Sequence, residues 1–265
     1  MVRVGFIEYL NCLPLRLGLE ATGGLEGVEL VSGTPARINS ALNTGELEIG
    51  LVSSLSWAEN RRRLEVVPGY GIISHGPVMS VLLAANAGVS LQDARRVALT
   101  SESATSQGLA KVILERVHGA RPEFEEVAVG PEAALREYDA ALFIGDSALR
   151  ARRLDGVEIH DLGEAWTRYS GLPMVYAVWV SRRDPAEFGW FADRVARAVS
   201  WSERNVDAVV AEALRREAPA TGDELREYYG RCLGYRVGTL QWKGLYSYLS
   251  EVHRLAPETL RKVIA

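Results

Sequence analysis

The chain is poor in the residues that build metal centres and covalent cross-links. Cys12 and Cys232 are the two cysteines in 265 residues and stand far apart, which excludes a disulfide framework and the paired spacing of a zinc site. The four histidines, His75, His118, His160 and His253, show no metal-ligand spacing, so a protein without metal or cofactor is expected. No basic block exceeds Arg61-Arg62-Arg63, and the net charge is −4. Without a basic face to neutralise phosphates, nucleic acid is not an expected partner. No apolar run reaches the roughly 18 residues of a membrane span. No basic segment leads a long apolar run into the strand-like Val2–Ile7, and a cytoplasmic location is expected. Internal repeats and low-complexity linkers are also missing.

What is present is a chain able to bury a core, with 48% hydrophobic and 24% charged residues. Strand-like runs alternate with helical periodicity. Val2–Ile7, Val28–Val31, Leu47–Val52, Val66–Ile73 and Val78–Ala85 read as strands. They are separated by helices at Leu15–Glu20, from Thr34-Pro35 to Thr44, and at Leu55–Arg63. A second set follows with strands at Val97–Leu99, Phe124–Val129, Ala140–Ile144, Val157–Leu162 and Met174–Val180. After Pro185 the pattern is helical throughout: Phe188–Arg204, Val206–Arg216, Gly222–Leu233 and Thr239–Leu255. Such alternation predicts an α/β protein with parallel or mixed sheets. The long strands near Val78–Ala85 and Met174–Val180 divide it into two lobes joined by two crossings. Residues 1–84 and 180–265 are expected in one lobe and 85–179 in the other, with a ligand cleft between them.

The most polar junction in the chain lies within Val97–Val117. Behind the apolar Val97-Ala98-Leu99 come Thr100, Ser101, Glu102, Ser103, Thr105 and Ser106, and then the helical stripe Leu109, Val112, Ile113 and Val117. A strand-to-helix junction offers unpaired backbone N–H groups and the positive end of a helix dipole. Such a place binds anions, carboxylates as readily as phosphates. One hydroxyl is enough to cap a helix; here there are five.

Ligands in open α/β sheets sit beyond the carboxyl ends of strands, and three other strand ends are polar. Tyr9 and Asn11 follow the first strand, Ser53 and Ser54 the third, and Gly145 and Asp146 follow Ala140–Ile144. Each has an ordinary structural alternative. Asn11 suits an Asx-turn, and Ser53, Ser54 and Asp146 suit helix caps. Ser80 sits inside the apolar run Val78–Leu83, where a hydroxyl needs a partner in the backbone or a ligand. Trp166, Tyr169 and Trp179 read as core, and Tyr228, Tyr229, Tyr246 and Tyr248 as helix packing. His75 and His160 lie outside the polar strand ends and receive no catalytic role.

Taken in order, GFIEYLNCLPL, LVSSLSWAEN, HGPVMSVLL, VALTSESATSQGLAKVIL, ALFIGDSAL and DLGEAWTRYSGLPMVYAVWV resemble the chorismate dehydratase family, at the start of the futalosine route to menaquinone. The likeness runs from about residue 3 to 182; the helices after Pro185 carry no matching motif. It implies a type II periplasmic-binding-protein-like fold used as an enzyme, converting chorismate to 3-[(1-carboxyvinyl)oxy]benzoate and water. A sister enzyme of that fold, 1,4-dihydroxy-6-naphthoate synthase, usually opens with an SPCPND-like stretch, where YLNCLP stands here. A non-catalytic carboxylate-binding protein, or the effector domain of a regulator, would share the architecture. Under the dehydratase reading Ser103, Thr105 and Ser106 hold one carboxylate. Tyr9, Ser53, Ser54, Gly145 and Asp146 complete the binding of this dicarboxylate substrate. Asn11 and Ser80 act near the leaving hydroxyl or the enolpyruvyl group. The base is either Asp146 or the substrate's own enolpyruvyl carboxylate. A homodimer is compatible with this reading, and no cofactor is needed.

Overall fold

The computed structural model describes residues 1–255, so positions 256–265, the end of the expected first lobe, lie outside the described residues. Val2–Ile7 (β1) leads into Leu13–Ala21 (α1), whose Pro14 stands in the first turn, where a missing N–H costs nothing. Val28–Gly33 (β2) pairs in parallel with β1. Thr34 caps Pro35–Thr44 (α2) by accepting from the Arg37 N–H, and Gly45 ends that helix at φ 81°. Ile49–Ser53 (β3), buried along its whole length, takes the other side of β1. It runs directly into Ser54–Glu59 (α3), and Glu65–Ser74 (β4) follows.

The chain then crosses and builds a second sheet. Its elements are Val81–Asn86 (β5), Arg96–Thr100 (β6), Ala104–Arg116 (α4), Glu123–Val127 (β7), Pro131–Glu137 (α5), Ala140–Ile144 (β8), Gly145–Ala151 (α6), Val157–Asp161 (β9) and Leu162–Ser170 (α7). Met174–Ser181 (β10) returns to the first sheet. Gly189–Arg204 (α8), Val206–Arg215 (α9), Gly222–Glu227 (α10), the short Gly234–Arg236 (β11) and Thr239–Leu255 (α11) complete it. The strand orders are β11-β4-β10-β3-β1-β2 and β7-β6-β8-β5-β9. Both sheets are mixed. In the first, β10 runs antiparallel to β3 and β4; in the second, β5 runs antiparallel to β8 and β9.

Three elements differ from the sequence expectation, each for a physical reason. The strand expected at Val78–Ala85 begins only at Val81. Val78 and Met79 donate their N–H groups to the Asp161 carboxylate (2.7–3.1 Å), and Met79 turns through φ 61°. Their apolar side chains are buried, but their backbone belongs to the crossing and not to a ladder. The helix expected over Gly222–Leu233 stops at Glu227, where Tyr228–Cys232 widens into a π turn. This places Tyr228 and Tyr229 in the core. The chain leaving that turn forms β11, which has no sequence signal beyond three residues and pairs with β4.

Both crossings are held tightly. Asp161 also accepts from the Gly163 and Glu164 N–H groups (2.9 and 3.1 Å), capping α7 while it grips the other crossing. Burial raises its pKa, and the backbone N–H groups pull the other way. The second crossing lies under α11: a Cβ on Gly244 would come 2.1 Å from the Pro173 carbonyl oxygen, so only glycine lets this helix settle there. From that seat α11 reaches the second sheet's helix α4, where the Tyr248 hydroxyl donates to the Thr105 carbonyl (2.8 Å) and Arg116 pairs with Glu251 (3.1 Å). Among the described residues no helix is long and apolar enough to cross a membrane.

Replacing Asp161 by alanine strands four backbone donors at once. Asp161→Ala is expected to cost about 3 kcal/mol in urea unfolding, with Asp161→Asn costing less because one oxygen still accepts. Equal stability of the alanine variant would remove Asp161 as the tie between crossings.

Candidate active site

Between the two sheets lies a cleft bounded by the ends of four strands. After β1 come Tyr9 and Asn11; Ser53 stands at the end of β3, and Ser80 in the crossing. Glu102, Ser103 and Ser106 lie at the start of α4, and Gly145 at the start of α6. Ile72, Val78, Tyr176 and Ala177 supply an apolar back wall. The space between these walls is about 560 Å³ when counted out through the open mouth.

Most of the expected site residues therefore meet. Ser53 caps α3, accepting from the Ser56 N–H (3.4 Å), and its hydroxyl lies 2.8 Å from that of Ser56. Ser103 caps α4 by accepting from the Ser106 N–H (3.2 Å). The capping alternative and the cleft position hold together for both. Gly145 turns through φ 54°, donates its N–H to the Ser80 carbonyl (2.8 Å) and carries the Tyr9 ring, which would lie 3.3 Å from a Cβ there. Ser80, 2% exposed, lies beside the Tyr228 hydroxyl.

Three expected residues are placed otherwise. The Ser54 hydroxyl donates to the Val175 carbonyl (2.8 Å), bonding α3 to β10 beneath the cleft. Thr105 accepts from the Leu55 N–H (2.9 Å) and is fully buried, bonding α4 to α3. Both face the junction of the lobes and neither lines the cleft. Asp146 does not cap α6, whose N-terminal residue has no side-chain cap. Its Oδ1 accepts instead from the Leu10 N–H (3.1 Å) across the lobes, behind Tyr9. Of the residues that sequence reasoning passed over, Glu102 and Tyr176 line the cleft. Glu102 was legible as one of the few acids in the polar loops. Tyr176 was hidden in a strand whose eight residues are all buried.

The electrostatics are unusual for an anion site. Among the described residues no arginine, lysine or histidine lines the cleft. The donors it offers are hydroxyls and the N-terminal end of α4, both able to hold a carboxylate. Around it, burial raises the pKa values of Cys12, Tyr9, Tyr176, Tyr228 and Tyr229 and raises that of Cys232 to about 11. These groups are neutral at pH 7 and serve as donors, not as bases. Burial also raises the pKa of Asp146, against the Leu10 N–H and Arg150. At the cleft Asn11 Oδ1 has no hydrogen-bond partner among the described residues, and the Tyr9 hydroxyl, which makes no hydrogen bond of normal geometry, faces the Glu102 carboxylate. Unsatisfied buried groups are costly, and in a cleft they point to a ligand.

A sequence profile described as menaquinone biosynthesis matches residues 2–254. The chain belongs to the menaquinone biosynthesis family. A relative from Thermus thermophilus named chorismate dehydratase is 35% identical over 197 residues, covering 68% of this chain and 70% of the relative. The architecture is that of periplasmic binding proteins. The crystal structure of protein AF1704 from Archaeoglobus fulgidus superposes with a TM-score of 0.76 at 17% identity, covering 97% and 98% of the two chains. A Candida albicans protein described as having the generic periplasmic binding protein fold gives 0.70 at 11% identity, covering 100% and 94%. At such identities the likeness is one of fold. The expected two-lobe architecture of that class is what the chain adopts.

A raised carboxyl pKa has a definite consequence for stability. Its penalty is absent below the unfolded-state value, about 3.9 for aspartate, and fully present above the folded-state value. Asp146→Asn, which still accepts from Leu10, is expected to be more stable than the parent at pH 7. The difference should shrink on acidification to pH 4. Denaturant unfolding at the two pH values checks this, and a gain that grows on acidification would reverse the assignment.

Proposed function

We propose that this chain dehydrates chorismate to 3-[(1-carboxyvinyl)oxy]benzoate. The observation that carries the proposal is the cleft itself: an unpartnered Asn11 Oδ1 beside Tyr9 on one lobe, facing the Ser103/Ser106 helix start on the other, in a chain of this family. The substrate class fits, because the cleft has donors for carboxylates and hydroxyls and an apolar wall for a ring.

The reaction removes the proton from the ether-bearing ring carbon and the hydroxyl from the adjacent carbon. The electron pair of the broken C–H bond spreads through the diene towards the ring carboxylate, and hydroxide leaves with the transferred proton as water. The product ring is aromatic. The protein's task is to hold two anions and to stabilise the charge growing on one of them, which preset N–H and O–H dipoles do without reorganising. Ser103 and Ser106 at the start of α4 are assigned to one carboxylate, and Ser53 and Tyr9 to polar contacts from the facing lobe. Asn11 and Ser80 are assigned to the leaving hydroxyl or the enolpyruvyl group.

Among the described residues no histidine lines the cleft, and its tyrosines, Tyr9 and Tyr176, are neutral at pH 7. Asp146 is turned to Leu10 behind Tyr9. Two bases are left, the substrate's own enolpyruvyl carboxylate, positioned by Asn11 with proximity contributing several kcal/mol, and the Glu102 carboxylate in the cleft wall. A cytoplasmic location belongs to the same proposal: both cysteines are buried and unbridged, as a reducing compartment allows.

Purified protein incubated with chorismate and no cofactor is expected to remove the diene absorbance and yield one aromatic product. Binding without conversion would leave a carboxylate-binding protein of this fold. Asn11→Ala is expected to lower kcat at least about a hundredfold while leaving the fold intact; normal turnover would exclude Asn11. Asp146→Asn is expected to keep turnover, and its loss with binding preserved would make Asp146 the base.

A further inference from the structure

The Asn11 side chain, on which the proposed chemistry leans most, has a buried Oδ1 with no hydrogen-bond partner among the described residues. A side-chain oxygen without an anchor of its own is aimed by the backbone that carries it. That backbone is the Leu10–Cys12 turn, closed on itself where the Cys12 N–H donates to the Tyr9 carbonyl (2.9 Å). Two side chains from distant parts of the chain hold this turn. From the second lobe, Asp146 accepts from the Leu10 N–H (3.1 Å). From the first, the Tyr235 hydroxyl donates to the Asn11 carbonyl itself (2.8 Å), across 224 positions of sequence.

Tyr235 is brought there by the least regular part of the fold. The π turn Tyr228–Cys232 ends where the Leu233 N–H donates to the Tyr228 carbonyl (3.0 Å), and the chain comes out as β11. Gly234 lets β11 lie close on β4, since a Cβ there would come 2.9 Å from the Ile73 side chain. The β11–β4 ladder then slips register between Gly234 and Arg236, at Tyr235. Irregular pairing of this kind re-aims a side chain, and π turns recur at functional sites. Tyr235 is 5% exposed and does not line the cleft. Burial raises its pKa well above the usual tyrosine value, so it donates without giving up its proton. It touches no space a substrate could occupy in the cleft, and its influence there passes through the turn it holds.

We propose that Tyr235 is a positioning residue for the reaction: its hydroxyl fixes the Asn11 carbonyl, and with it the direction of the Asn11 amide in the cleft. The effect on rate rests on the dehydratase reading; the positioning itself does not. The widened helix end and the three-residue strand after it thereby gain a use, which is to carry a donor from near the end of the chain to the turn after β1. A catalytic group displaced by about 1 Å can lose about a hundredfold in rate. Removing one of two anchors of the turn leaves the other in place, and the loss is smaller.

Tyr235→Phe keeps the ring and its packing and removes only the donor. With chorismate it is expected to lower kcat about tenfold while KM changes by less than about twofold. In an Asn11→Ala background the same substitution is expected to cost nothing further, because the group it aims is gone. Ser202→Ala removes another buried hydroxyl that donates to a backbone carbonyl, that of Val199 (2.9 Å), on α8 and outside the cleft. It is expected to leave kcat as it was. Unchanged kcat in Tyr235→Phe, or a loss that persists in full beside Asn11→Ala, overturns the proposal. Selective nitrogen-15 labelling of asparagine reads the Asn11 side-chain amide without turnover. Its signals are expected to shift and broaden in Tyr235→Phe and to stay in place in Ser202→Ala. Signals unmoved in Tyr235→Phe overturn the proposal. Signals that move support it even in a protein that converts no chorismate, an outcome that would sink the dehydratase reading alone.

Discussion

The Asp161 carboxylate holds together the parts that make a cleft possible. A two-lobe α/β protein must leave one sheet and return, and the crossing strands expose backbone N–H groups that no ladder can satisfy. Asp161 accepts four of them, two from each crossing region (2.7–3.1 Å). This ends the Val78-Met79-Ser80 run as a strand and turns Ser80 into the cleft. It also starts α7, whose Thr167 hydroxyl accepts from the Gly76 N–H (2.9 Å) on the first crossing. Ser74 and Tyr176, 3.1 Å apart, close the same region from the side of the first sheet. One acidic side chain thus decides where strands stop, and where strands stop decides what the cleft contains.

A cleft with no cation among the described residues, in an acidic protein, suits a reaction that moves negative charge within its substrate. An arginine paired with a carboxylate would stabilise ground state and transition state alike, which lowers KM without raising kcat. Hydroxyls and helix-terminal N–H groups are weaker and can be aimed at the atom where charge grows. Arg16, Arg150 and Arg216 line a separate space that shares Tyr9 with the cleft. The separation is built into the chain: Tyr9 lies two residues before Asn11, and Arg150 five residues after Gly145, so the same two segments line both spaces.

The alternation of strands and helices made the two-sheet architecture legible, and the polar strand ends made most of the cleft legible too. What sequence could not give was the direction of each hydroxyl. Ser53 and Ser54 are neighbours of equal chemistry, as are Thr105 and Ser106. In each pair one lines the cleft and the other bonds one lobe to another element, Ser54 to a residue 121 positions away and Thr105 to one 50 away. Such partners are set by tertiary packing, and no local pattern encodes them. The π turn at Tyr228–Cys232 and the three-residue strand after it escaped notice for the same reason. Local periodicity there continues as a helix, and burial of two tyrosines against the first sheet decides otherwise. Asp146 shows the limit from another side. A helix-cap reading was sound by propensity, but the carboxylate is used across the lobes.

That use of Asp146 bears on where the base resides. Asp146 holds the Leu10 N–H through Oδ1 and lines the space that shares Tyr9 with the cleft, not the cleft itself. To take a proton from a substrate held in the cleft it would have to leave that position and surrender that hydrogen bond. Surrender would also loosen the Leu10–Cys12 turn that presents Asn11. A general base must lie within hydrogen-bond reach of its proton while the rest of the site stays assembled. Asp146 meets the second condition only by failing the first. The Tyr9 and Asn11 groups at the cleft are suited to holding a carboxylic acid or a departing hydroxyl, and neither is a base. Among the described residues Glu102 is the one acid that lines the cleft, and it stands beside the proposed substrate carboxylate as the other candidate for the base.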